Sequence, residues 1–247
     1  MNNKQAIQQK HDLVMPICCS SIFLFLPNDF YLKYAMLFHE QLESYCESHT
    51  SKESDLLYRL NRETNIKILN PRMLSGQLQG GFLAMISRMI KPIHILEIGT
   101  FTGYSSLCLA EGLQPNGELH TIEMDVELEV MISKYFNLSE HKEKLHLHIG
   151  NALDVIHTLD KIWDLVFLDA EKTEYLQYYE MVLPRVKKGG FILVDNVLWN
   201  GKVVETVAKN DIDTKAIMTF NDYIQNDPRV KNLLLPLRDG LLLIEKL

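Results

Sequence analysis

Cysteine is scarce in this sequence, and the few cysteines form no recognisable site. The 247 residues include four, Cys18, Cys19, Cys46 and Cys108, and no two of them form a C-x-x-C pair. A cysteine-based zinc site or a disulfide framework therefore has little support. Thiols used this sparingly fit a reducing, cytoplasmic environment.

Blocks of positive charge and long apolar runs are missing as well. The net charge is -7 and no stripe of lysine and arginine is visible, so we expect a small-molecule substrate and no nucleic-acid partner. The apolar stretch 13–27 is interrupted by Pro16 and lacks a small-x-small cleavage site. It is also shorter than the roughly 20 residues that cross a bilayer. We therefore expect neither a signal peptide nor a membrane partner.

The segment before the regular part of the chain is interpreted as an N-terminal extension, residues 1–36, followed by one catalytic domain, residues 37–247. Two explanations of the extension are open. It is either an accessory element that covers apolar surface of a partner subunit, or a stretch upstream of a translation start at Met15 or Met36.

The chain also lacks the dinucleotide fingerprint G-x-G-x-x-G. Residues 95–105 instead read ILEIGTFTGYS, with Phe101 at the position of the second glycine. Backbone at Gly99 can still approach a ligand, and Glu97 at the strand end could hold a cationic group. This combination suits S-adenosylmethionine better than NAD.

Regular alternation of apolar strands and amphipathic helices predicts an α/β fold of Rossmann-like type. It implies a mostly parallel, seven-stranded sheet with helices on both faces and a C-terminal antiparallel hairpin. Residues 199–214 are interpreted as a specificity loop. Strands are predicted at 93–98, 118–123, 145–149, 164–168, 191–194, 233–237 and 241–244, and helices at 30–47, 55–62, 80–90, 104–111, 127–136, 152–159 and 174–186.

Acidic residues follow several of the predicted strands, at the sheet edge where α/β proteins bind ligands. Glu123 is placed to accept hydrogen bonds from an adenosine ribose, with Asp125 as a nearby substitute. Asp169, Asp195 and Asn196 supply hard oxygen ligands for a divalent cation. The alternative is that these residues only end strands and cap helices.

Lys172 follows Asp169 at D-x-x-K spacing and could reach a substrate oxygen beside the cation, where it would act as a general base. The alternative is an exposed lysine at the start of a helix.

Four motifs resemble the cation-dependent class I O-methyltransferases: LEIGTFTGYSSL, FLDAEKTEYLQYY, KKGGFILVDNVLWNGKV and LPLRDGLLLIEK. That family includes caffeoyl-CoA O-methyltransferases, their bacterial relatives and, more distantly, catechol O-methyltransferase, and the resemblance covers residues 41–247. It implies a homodimer, Lys172 as catalytic base, Trp199 near the acceptor ring, and a cation, most often Mg²⁺, on Asp169, Asp195 and Asn196. It also implies cofactor contacts at Met73, Glu97, Gly99, Ser105, Glu123, Ala152 and Asp169.

The chain departs from the family pattern in two places. Where the family usually has M-x-x-S-P-x-x-G-Q, residues 73–81 read MLSGQLQGG, which keeps Met73 and Gly80 but changes Gly76, Gln77 and Gly81. The usual D-A-D-K has become D-A-E-K through Glu171.

These observations predict transfer of a methyl group from S-adenosylmethionine to a hydroxyl of a small vicinal-dihydroxy aromatic acceptor. The cation would chelate the acceptor oxygens. Two alternatives remain: a non-catalytic S-adenosylmethionine-binding regulatory protein and a NAD-dependent dehydrogenase. No motif in the loop 199–214 identifies the acceptor.

Overall fold

The computed structural model describes residues 41–247. The chain divides into two compact units, residues 1–49 and 50–247. Within the first unit, residues 41–48 are helical, while the predicted extension 1–36 and the start of the predicted helix 30–47 lie outside the described residues. No helix in the described part is long and apolar enough to cross a membrane.

The second unit is built on a seven-stranded sheet with the order β3-β2-β1-β4-β5-β7-β6. Strand β7 is antiparallel to both β5 and β6, and the other pairs are parallel. This confirms the predicted Rossmann-like fold with its C-terminal hairpin. The strands are β1 His94–Ile98, β2 Glu118–Glu123, β3 Leu145–Ile149, β4 Trp163–Leu168, β5 Val186–Asp195, β6 Val230–Leu235 and β7 Leu241–Lys246.

Helices cover both faces of this sheet. Successive side chains of a strand point to opposite faces of the sheet. In β4, Val166 therefore belongs to a first cluster of buried side chains and Phe167 to a second. The helices are α1 Asp55–Lys67, α2 Gly76–Ile90, α3 Tyr104–Ala110, α4 Glu129–Leu138, α5 Ala152–Thr158, α6 Tyr175–Val182 and α7 Ile212–Gln225. The first cluster includes side chains of α5, α6 and α7, and the second includes side chains of α1 to α4.

The predicted helix 174–186 is wrong at its C-terminal end. Helix α6 ends at Val182, and Pro184 lies in a 3-10 turn, Leu183–Arg185, because proline cannot continue the α-helical hydrogen bonds. Val186 then opens β5, which starts five residues before the predicted strand 191–194. Residues 187–190 of this strand read KKGG and lack the apolar residues typical of a strand. Pairing of β4 with β5 also shifts register between Trp163 and Leu165.

Helix α7 was not predicted, and the loop predicted at 199–214 runs into it. The Asp211 side chain caps its start by accepting a hydrogen bond from Thr214 N at 3.1 Å. Ile217, Phe220 and Ile224 are buried at spacings of three and four residues. Both signals are present in the sequence and are typical of a helix.

Candidate active site

The carboxyl ends of the three central strands lie side by side. Ile98 of β1 pairs with Leu168 of β4, and Leu168 pairs with Val194 of β5. The residues that end or follow these strands therefore share one edge of the sheet, at the point where strand order reverses between β1 and β4.

Gly99 lies against the backbone of Asp169. Its φ is +95°, and a Cβ at this position would lie 1.9 Å from Asp169 O. The amide of Asp169 donates to Ile98 O at 2.9 Å, which holds the two strand ends together. Only glycine fits here, because both the left-handed backbone and the close approach exclude a side chain.

The ammonium group of Lys172 lies between two of the predicted cation ligands. Its Nζ donates to Asp169 Oδ1 at 3.0 Å and to Asn196 Oδ1 at 2.8 Å. The side chain is only 12% exposed, unlike the solvated lysine of the alternative interpretation. Lys172 therefore faces the strand ends rather than bulk water.

Tyr175 fixes the position of this lysine from the buried side. Its hydroxyl accepts from Lys172 Nζ at 2.7 Å and donates to Asp195 O at 3.0 Å. Burial raises the pKa of the Tyr175 phenol well above its usual range, which keeps this donor protonated. Tyr175 is part of the FLDAEKTEYLQYY motif but was not among the predicted site residues.

Asp195 is nearly inaccessible to solvent. Its Oδ2 accepts from Gln79 Nε2 at 2.6 Å, and its Oδ1 accepts from the Asn196 amide at 2.8 Å. Burial, followed by the charge of Asp169, raises the pKa of Asp195 to about 7. The next residue, Asn196, has a φ of +57°, and its side-chain oxygen accepts from Lys172.

These residues fit a hard divalent cation. Two carboxylates and an amide oxygen are the ligand types that Mg²⁺, Mn²⁺ and Ca²⁺ prefer. The ammonium group held between Asp169 and Asn196 shows that positive charge is favoured at this place. The repulsion that raises the pKa of Asp195 is of the kind that a cation relieves.

Two further residues, which orient the Asp195 carboxylate, were not predicted. Arg238, in the turn between β6 and β7, donates from Nη1 to Gln79 Oε1 and to Leu74 O, each at 2.9 Å. The Gln79 amide is thereby turned so that its nitrogen faces Asp195. The RDG string of the last motif marked the turn, but nothing in the sequence connects it with Gln79.

Glu123 supports the loop that follows β1. Its Oε2 accepts from the Phe101 amide at 2.7 Å, and its Oε1 accepts from the Asp125 amide at 2.9 Å. Phe101 has a φ of +51°, so the loop adopts a left-handed turn without glycine at that position. Contact between Glu123 and a ribose stays a prediction.

Glu97 is entirely buried. Its Oε2 accepts from Thr121 Oγ1 at 2.6 Å and from Ser106 Oγ, while Oε1 has no hydrogen-bond partner among residues 41–247. Burial raises the pKa of Glu97 to about 7. A buried carboxylate oxygen without a hydrogen bond of good geometry fits a ligand that carries an amine. Direct contact between Glu97 and a cofactor stays a prediction.

The other predicted site residues lie on several different elements. Ser105 is buried in the first turn of α3, and Ala152 is the buried first residue of α5. Met73 is exposed in the 3-10 turn Pro71–Met73. The Trp199 ring centroid lies 5.9 Å from Lys172 Nζ, so the tryptophan lies near the acidic group formed by Asp169, Asp195 and Asn196.

A model of the O-methyltransferase family matches residues 47–247. The chain belongs to this family. Over 215 residues it is 31% identical to the probable caffeoyl-CoA O-methyltransferase 2 of Dictyostelium discoideum, covering 85% of this chain and 93% of the relative.

Two solved structures share the fold of this O-methyltransferase. SAH-bound methyltransferase PaMTH1 from Podospora anserina has a TM-score of 0.78 at 27% identity, covering 90% of this chain and 98% of the other. O-methyltransferase TomG from Streptomyces achromogenes, involved in tomaymycin synthesis and solved in complex with SAM, has a TM-score of 0.77 at 27% identity, covering 83% and 96%. The predicted family, fold and enzyme class, an S-adenosylmethionine-dependent O-methyltransferase, are confirmed.

Proposed function

We propose that this O-methyltransferase transfers the methyl group of S-adenosylmethionine to one hydroxyl of a small vicinal-dihydroxy aromatic acceptor, and that the reaction depends on a divalent cation. Asp169, Asp195 and Asn196 would hold the cation, and Lys172 would accept the hydroxyl proton. The observation that carries the proposal is the position of Lys172 Nζ, within 3.0 Å of oxygens from both Asp169 and Asn196.

The donor would bind along the loop after β1. Support comes from the SAM and SAH complexes of the two similar structures and from the close approach of backbone at Gly99. Glu123 would meet the ribose, and Glu97 and Ser105 would lie toward the amino-acid end. Met73 and Ala152 are proposed as further contacts on the strength of the family resemblance.

The acceptor would bind between the acidic group and Trp199. A cation, when bound, supplies positive charge that favours the ionised hydroxyl. As the neutral amine, Lys172 is placed to take the proton, so its ammonium form must first lose a proton to solvent. Tyr175 holds its Nζ in position from the buried side. Trp199 would offer its ring face to the aromatic acceptor. Holding donor and acceptor in line can lower the barrier by roughly 7–11 kcal/mol.

The decisive experiment measures labelled-methyl transfer from S-adenosylmethionine to a panel of catechols and hydroxycinnamoyl thioesters, with and without EDTA. We expect transfer that EDTA abolishes and that Mg²⁺ or Mn²⁺ restores. Asp195→Asn should behave like the chelated enzyme, whereas Asp160→Asn, at an exposed position, should retain wild-type activity.

Three outcomes would contradict parts of the proposal. Full activity in chelator would show that the reaction does not need a cation. Transfer to monohydroxy acceptors alone would show that the acceptor is not a vicinal diol. Binding of S-adenosylhomocysteine without transfer to any acceptor in the panel would favour the non-catalytic regulatory alternative. The homodimer implied by the family resemblance is also a proposal, and sedimentation of the full chain tests it.

A further inference from the structure

A second cluster of potential metal ligands lies at the opposite edge of the sheet. Glu118 is the first residue of β2, and His120 follows it on the same face. His146 of β3 is the register partner of His120. The cluster lies at the amino ends of these parallel strands, whereas the acidic group lies at the carboxyl ends of β4 and β5.

The spacing of the three side chains fits a small metal ion. Glu118 Oε2 lies 3.5 Å from His120 Nε2 and 3.5 Å from His146 Nε2. All three ligand atoms lie within 4.8 Å of one another. A tetrahedral ion with ligands at about 2.0–2.1 Å requires separations of about 3.3–3.4 Å between them. The third pair, His120 and His146, is at most 4.8 Å apart and would have to close by up to about 1.4 Å.

The hydrogen bonds of His120 leave its inner nitrogen available. Nδ1 lies 2.9 Å from His148 Nε2, which orients the ring. Nε2 is buried and has no hydrogen-bond partner in the part of the chain that the structure describes. A second partner on the far ring nitrogen is the usual arrangement of a metal-binding histidine.

The carboxylate of Glu118 divides its two oxygens between different partners. Oε1 forms an ion pair with Lys161, and His94 Nε2 lies 3.5 Å from the same oxygen. Oε2 faces the two imidazoles of His120 and His146. The side chain of His146 is 41% exposed, so an ion can enter from solvent without unfolding.

We propose that Glu118, His120 and His146 form a binding site for a zinc-class transition-metal ion, separate from the active site. Two imidazoles and one carboxylate suit Zn²⁺ and are poor ligands for Mg²⁺. With water as a fourth ligand, the ion would tie edge strand β3 to β2. Its role would be to stabilise the sheet, and the site does not depend on the proposed function.

The test is a calorimetric Zn²⁺ titration of the chelator-treated full chain in excess Mg²⁺, which keeps the oxygen ligands of the active site occupied. We expect one Zn²⁺ per chain and a rise in the midpoint of thermal unfolding. His146→Gln and Glu118→Gln should each weaken binding by at least about tenfold and remove that rise. His157→Gln, at an exposed histidine outside the cluster, should bind like wild type, as should Asp195→Asn.

Circular dichroism of each variant separates loss of the site from loss of the fold, and His146→Gln is the safer variant because its side chain is partly exposed. Zn²⁺ binding that survives both His146→Gln and Glu118→Gln would overturn the proposal. Loss of binding in Asp195→Asn would assign the ion to the active site and would equally overturn it. Absence of Zn²⁺ binding to folded wild type would do the same.

Discussion

Gln79 Nε2 donates to Asp195 Oδ2 at 2.6 Å, although 116 residues separate the two along the chain. Arg238 holds the other end of the amide, so three distant segments converge on one buried carboxylate. Asp195 therefore has its orientation set before any ligand arrives, and the first turn of α2, which carries Gln79, becomes part of the support for the candidate cation site.

Gln79→Ala should lower the affinity for the cation more than it lowers the stability of the fold. Removal of an orienting partner typically costs 10–100-fold in metal affinity, and about that loss is expected here. The Mg²⁺ concentration that gives half-maximal methyl transfer measures it. Gln114→Ala, whose amide donates to Lys91 O away from the site, is the matched control. Equal Mg²⁺ dependence in both variants would contradict the role of Gln79.

Lys172→Ala should lower kcat by about 10²-fold or more, because the proposed proton acceptor is lost. Affinity for S-adenosylhomocysteine should stay nearly unchanged, since Lys172 contacts the acidic group and not the loop after β1. Stopped-time methyl transfer and calorimetry give the two quantities. Lys231→Ala, at an exposed lysine of β6 outside the loop 199–214, serves as control. A near wild-type kcat for Lys172→Ala at neutral pH would contradict the assignment of Lys172 as the general base.

Gly99→Ala should destabilise the protein more than Gly189→Ala does. Both glycines have positive φ, but a Cβ at Gly189 meets nothing within 4 Å, so that substitution shows the backbone cost alone, roughly 1–2 kcal/mol. At Gly99 the clash with Asp169 O adds about 1–3 kcal/mol. Urea unfolding of the two variants measures the difference. Similar midpoints would mean that the strand ends separate more easily than this contact suggests.

Glu97→Gln should change how stability depends on pH. Burial raises the pKa of Glu97 from 4.5 to about 7, so the folded protein binds the extra proton between those values. Its contribution to the free energy of unfolding is complete below pH 4.5 and is lost as pH rises through 7. Glutamine does not titrate and loses no such contribution. The free energy of unfolding of the variant, relative to that of wild type, should therefore rise by about 3 kcal/mol from pH 4.5 to pH 7.

Urea unfolding at a series of pH values tests this expectation. Glu140→Gln, at an exposed carboxylate, should follow the wild-type profile throughout. If Glu97→Gln also runs parallel to wild type, the carboxyl of Glu97 is ionised in the folded protein across the whole range.

The sequence predicts the framework of the site because its signals are local. Strand ends at Glu123 and Asp169 follow from short apolar runs, and parallel strands bring their carboxyl ends to one edge without further information. Helix α7 shows a limit of interpretation, since the cap at Asp211 and the spacing of its buried residues were both present in the sequence.

The supporting side chains could not be predicted in this way. Contacts from Arg238 through Gln79 to Asp195 depend on how the hairpin turn docks on the loop before α2, and no local pattern encodes that distance. The same holds for the Glu118 cluster. Its residues alternate as an ordinary strand does, and only the register between β2 and β3 brings the two histidines together.

The missing side chain at Gly99 has a consequence for reaction geometry. The backbone of Gly99, in the proposed donor loop, lies directly against the backbone of Asp169, a proposed cation ligand. The two halves of a methyl transfer must come within about 3–3.5 Å of each other before the bond can form. Because Gly99 has no side chain, nothing holds the two segments apart. A larger residue would increase the distance between donor and acceptor even if both still bound.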